Sequence, residues 1–101
     1  MSGNFHTSGY TEETNEMINH KIKSKLRKIH KLKRENLVLS DKRHSMYLKL
    51  RKFDSTTLGF LDNFLEVLKI SERIGKNGNK IQRLRTNISQ LKKVLILPVD
   101  E

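Results

Sequence analysis

The sequence predicts an all-α protein: a long coiled-coil helix followed by a shorter antiparallel helix, making a helical hairpin behind a disordered N-terminus. Three observations carry this. Apolar residues recur at alternating steps of three and four from Ile29 to Val67, the spacing of a helix that lies along another helix. The only proline is Pro98, so nothing upstream forces a helix to break. A polar cluster, Gly75-Lys-Asn-Gly-Asn79, separates two periodic segments and supplies the turn.

In chain order, residues 1–10 are rich in Gly, Ser, Asn and Thr and show no period, so a disordered tail is expected. Thr11 is placed as an N-cap, with Glu12, Glu13 and Glu16 complementing the positive end of a helix dipole. From there a single amphipathic helix is expected over residues 11–74. Asp54-Ser-Thr-Thr57 is its weakest point, because four residues able to bond their own backbone favour caps over helix interiors. The heptad phase nevertheless passes through, with Phe53 and Phe60 on the same side, so a kink over 54–59 or an unbroken helix is expected there. From Leu58 to Ile74 more than one face is apolar, which calls for cover from two sides. Gly75 is suited to a left-handed C-cap and residues 75–79 to a turn. A returning helix over 80–97 carries Ile81, Leu84, Ile88, Leu91 and Leu95 on one stripe, and Pro98 ends it before a tail over 98–101.

The seam of the long helix comprises Ile29, Leu32, Asn36, Leu39, Arg43, Met46, Leu50, Phe53, Thr57, Phe60, Phe64 and Val67. Asn36, Arg43 and Thr57 fall at a positions, where a polar residue lowers stability but penalises wrong registers. A helix over 11–74 would span ~95 Å and the returning helix only ~25 Å. The seam would then outrun its own cover. Ile29, Leu32, Asn36, Leu39, Met46, Leu50, Phe53, Phe60, Phe64 and Val67 are therefore expected to bind helices of other subunits. Lys28, Lys42 and Lys49 at g positions disfavour a parallel homodimer, so hetero-oligomers are favoured.

The net charge of +10 is concentrated between His20 and Lys52, where thirteen Lys and Arg face only Glu35 and Asp41. Lys21, Lys23, Lys25, Arg27, Lys28, Lys31, Lys33 and Arg34 form its dense part and are the expected contacts to nucleic-acid phosphates; an acidic protein surface would serve as well. The absence of Cys excludes disulfides and thiolate metal sites and fits an intracellular protein. No secretory signal pattern and no membrane-spanning run is present, so no membrane association is expected. His6, His20, His30 and His44 form no H-x-x-x-H pair. Asp62 and Glu66, one helical turn apart, lack the cleft that acid–base chemistry needs. No catalytic residue, metal, cofactor or small-molecule substrate is expected.

Leu26-Arg-Lys-Ile29, Leu32, Glu35, Lys49-Leu-Arg-Lys52 and Gly59-Phe-Leu-Asp-Asn-Phe-Leu65 follow one another at the spacing of a short coiled-coil segment. That segment occurs in accessory subunits of the INO-eighty chromatin-remodelling complex, and residues 26–67 resemble it. Asn63 stands where the family has Arg, and the helix after Gly75 has no counterpart in it. The resemblance implies a nuclear, non-catalytic subunit of a module that contacts DNA outside the nucleosome. The function expected is thus a structural subunit of a nuclear assembly, an ATP-dependent chromatin remodeller. The alternatives are a self-sufficient basic helical protein that binds nucleic acid, and a coiled-coil subunit of a cytoplasmic or kinetochore assembly.

Overall fold

The computed structural model describes the backbone of residues 2–54 and 56–99, and the side chains of residues 14–54 and 56–95. Two helices account for it: α1, Ser2–Leu50, of 49 residues, and α2, Leu58–Val99, of 42 residues. The fold is an all-α helical hairpin, as the sequence predicts. The helical backbone begins at Ser2, ahead of Thr11, and runs through Pro98 to Val99. The tails expected over 1–10 and 98–101 fall on residues whose side chains lie outside the described ones.

The turn is not where the glycines suggested. The chain reverses at residues 51–57, and α2 passes unbroken through Gly75-Lys-Asn-Gly-Asn79. Hydrogen bonding explains the choice. At the end of α1, Lys52 N–H donates to Lys49 O (3.0 Å) and Phe53 N–H to Leu50 O (3.2 Å), a tightened last turn that satisfies orphan carbonyls. Asp54 Oδ1 accepts from Thr56 N–H at 3.2 Å, and the Thr57 hydroxyl donates to Asp54 O at 2.8 Å. The Thr57 oxygen in turn accepts from Phe60 N–H at 3.2 Å, the N-cap bond of α2. Gly59 admits the Phe53 ring: a Cβ there would sit 3.2 Å from Phe53 Cε1. Gly75 and Gly78 cost the α2 interior about 1 kcal/mol each relative to Ala. Neither has a neighbour that would exclude a side chain. Burial of the residues around them outweighs that cost.

Contacts divide the chain into two units, Met1–Ile29 with Gln82–Glu101, and His30–Ile81. In the first, Ile18, Ile22 and Ile29 of α1 and Ile88 of α2 are buried. In the second, Met46 and Leu50 of α1 and Val67 and Ile70 of α2 form one cluster, with Leu39, Phe60 and Ile74 packed against it. The seam expected to await a partner is thus consumed within the chain. Ile29, Met46, Leu50 and Val67 are buried, and Leu32, Asn36, Leu39 and Phe60 are half-buried. A turn expected at 75–79 left the seam longer than its cover. With the reversal at 51–57, the returning helix is nearly as long as the first.

The heptad phase also changes across the turn. On α2 the inward positions run Phe60, Asn63, Val67, Ile70, Ile74, Asn77, Ile81, Leu84, Ile88, Leu91, Leu95, again at alternating steps of three and four. Phe64 is displaced from the seam by Asn63 and is 40% exposed; Phe53, in the turn, is exposed as well.

Candidate nucleic-acid interface and apolar face

Three features carry the chemistry that could serve a function, two on the surface and one inside the seam. The first is the basic band of α1. Lys21, Lys23, Arg27, Lys28, Lys31, Lys33 and Arg34 are exposed and Lys25 is half-buried. No acidic residue occurs between His20 and Arg34. Among the described residues the ion pairs are Glu35–Arg73 and Glu72–Lys76, so none of the band's charges is used in one. The hairpin does not gather all eight on one side. In the first unit, His20, Lys21, Ser24, Lys25 and Lys28 of α1 and Asn87, Gln90, Leu91 and Val94 of α2 line a groove of about 610 Å³. Its lining is thus cationic side chains and amides together with the apolar Leu91 and Val94.

The second is a polar layer inside the seam of the second unit. Asn77 is 2% exposed, and its amide donates to Asn36 Oδ1 at 2.9 Å and to Glu35 Oε1 at 3.2 Å. Asn36 Nδ2 donates to Ile74 O at 3.4 Å, and Arg73 Nε donates to Glu35 Oε1 at 2.9 Å. The Asn77 amide and the Arg73 guanidinium hold the Glu35 carboxyl below its ordinary value. A second polar contact, Arg43 Nη1 to Ser71 Oγ at 3.2 Å, lies nearer the turn. Asn36 and Arg43 have their polar partners on the facing helix, which is what polar a positions require of a unique register. Asn77 was missed from sequence because it lies in the glycine cluster. Its signal was the unbroken step from Ile70 and Ile74 to Asn77 and Ile81.

The third is apolar and outward. Leu58, Leu61, Leu65 and Leu68 are exposed on α2, Leu58 at 79%. Beside them Phe60 and Phe64 stack, centroids 6.1 Å apart and planes within 8°. A cleft of about 440 Å³ is lined by His44, Tyr47, Leu48, Leu50 and Arg51 with these two rings. Of the residues expected to bind partners, Phe53 and Phe64 remain exposed; the rest of that set is wholly or partly occupied inside the hairpin. Of the two apolar faces expected of this segment, α1 covers one, and the other is open.

Among the described residues no group of His, Asp and Glu is gathered as a metal site, and no helix is long and apolar enough to cross a membrane. The molecule is a basic helical hairpin with a polar layer in its seam and a leucine face near its turn. No protein-family model, curated protein or solved structure matches the chain.

Proposed function

We propose that this chain is a non-catalytic, basic helical hairpin that binds nucleic acid through the phosphate backbone, with α1 between Lys21 and Arg34 as the contact. One observation carries the reading: a hairpin that has buried its own seam still displays a band of exposed Lys and Arg without an acidic residue among them. Such a band repels itself and gains most from a polyanion that releases its counterions. Lys21, Lys25 and Lys28 line the groove, and Lys23 and Arg27 are exposed on the same stretch of α1. Contacts of this kind are to backbone charge, which positions a protein on nucleic acid without reading sequence.

The test is charge reversal. Replacing the exposed Lys21, Lys23, Arg27 and Lys28 and the half-buried Lys25 by Glu leaves the helical signal unchanged. Affinity for a random duplex falls more than about tenfold, and the slope of log K against log salt drops by about 0.9 for each phosphate no longer neutralised. Unchanged affinity and slope reject the reading.

The open leucine face supports a second reading, in which the hairpin is a structural subunit of a nuclear assembly. The resemblance of residues 26–67 to the INO-eighty accessory subunits points to a chromatin remodeller. Docking would then use Leu58 to Leu68 with Phe53 and Phe64, not the buried seam. Purification of the tagged chain followed by mass spectrometry separates the two: recurrent chromatin subunits favour the second reading, and nucleic acid alone favours the first.

A further inference from the structure

We infer that the leucine face of α2 is a two-fold interface with a second copy of this chain. Leu58, Leu61, Leu65 and Leu68 repeat at steps of three, four and three, a second coiled-coil stripe on the side of α2 that α1 leaves open. Solvent-facing positions of a two-helix hairpin have no use for such spacing, and an uncovered stripe of this kind marks an association surface.

The pattern identifies the occupant. Two copies of α2 laid antiparallel bring Leu58 against Leu68 and Leu61 against Leu65, and the two-fold axis repeats both layers, so every leucine finds a leucine. In that register the residues that follow Leu61 and Leu68 share an edge. Asp62 of each copy then faces Lys69 of the other, twice over. A two-fold interface demands that one patch complement itself, and this one does so in spacing and in charge. Inside the hairpin an opposite-charge pair likewise flanks a layer of the seam, where Glu35 meets Arg73 at 2.9 Å beside Asn36 and Asn77. Overall charge opposes association of a +10 chain, but residues 58–72 carry Asp62, Glu66 and Glu72 against Lys69 alone. Self-repulsion is therefore weakest where the stripe lies.

Sedimentation equilibrium on the full chain tests this, with a dimer of twice 11.9 kDa as the expected result. Leu61→Glu with Leu65→Glu gives a monomer whose helical circular dichroism is retained, since both positions are exposed in the hairpin. Asp62→Lys places like charges at both edges and weakens the dimer by about tenfold; adding Lys69→Asp restores opposite charges and recovers the affinity. A chain that stays monomeric throughout the concentration range overturns the inference, and so does a dimer indifferent to the leucine changes. A double charge variant no tighter than the single one overturns the antiparallel register. None of these substitutions touches the basic band, so duplex affinity measured alongside tests nucleic-acid binding separately.

Discussion

Val67→Asp removes a large part of the hairpin's stability. Val67 is 2% exposed and sits in the cluster with Met46, Leu50 and Ile70, so its replacement loses apolar burial and leaves a carboxylate with no partner. The combined penalty is about 4 kcal/mol or more, against a total stability of roughly 5–15 kcal/mol for a small protein. Urea denaturation followed by circular dichroism should show a midpoint moved to much lower urea, by the penalty divided by the slope of stability against denaturant. Leu65→Asp, two residues earlier and exposed, should keep the helical signal. Equal effects at the two positions would mean that the hairpin does not pack in this register.

Asn77→Leu destabilises the hairpin by about 2 kcal/mol, because Asn36 Oδ1 is deprived of its donor inside the seam. Asn36→Leu together with Asn77→Leu recovers most of that stability, since two apolar residues facing each other leave no amide unpaired. A double-mutant cycle in urea should yield a coupling of about 1 kcal/mol or more; strictly additive effects would show that the two amides do not meet. The price of recovery is register, which the amides specify. The same layer gives a pH dependence whose sign is fixed. With the folded pKa of Glu35 depressed, its contribution is present above the carboxylate's unfolded pKa and fades as pH falls through the lower folded value.

Much of this fold could be read from the chain alone. The α1 seam from Ile29 to Leu50 follows from spacing, and so does the α2 stripe from Ile81 to Leu95. Asp54 to Thr57 could be recognised as capping residues. What misled was the weighing of two turn signals. Gly75 and Gly78 each carry a helix penalty of only about 1 kcal/mol, a cost that buried neighbours can outweigh. Asp54 and Thr57 offer side-chain bonds at 3.2, 2.8 and 3.2 Å that positively stabilise a reversal. Glycine permits a turn, whereas the capping side chains form one. Moving the turn also changed the site. Phe64 left the seam, Asn77 entered it, and all but Phe53 and Phe64 of the residues expected to wait for other subunits became wholly or partly occupied inside the hairpin. The basic band was legible in full because charge density survives any choice of turn. The groove of Lys21, Lys25 and Lys28 with Asn87 and Gln90 was not, since it exists only once the two helices are paired.

That the chain reverses at residues 51–57 and buries its own seam is the claim on which the rest depends. Spin labels on Glu35→Cys and Arg73→Cys test it directly, in a protein that has no other cysteine. The native side chains meet at 2.9 Å, so pulsed dipolar spectroscopy should return a short distance set by the labels themselves. A distance of ~57 Å, that of roughly 38 residues along a single unbroken helix, would contradict it.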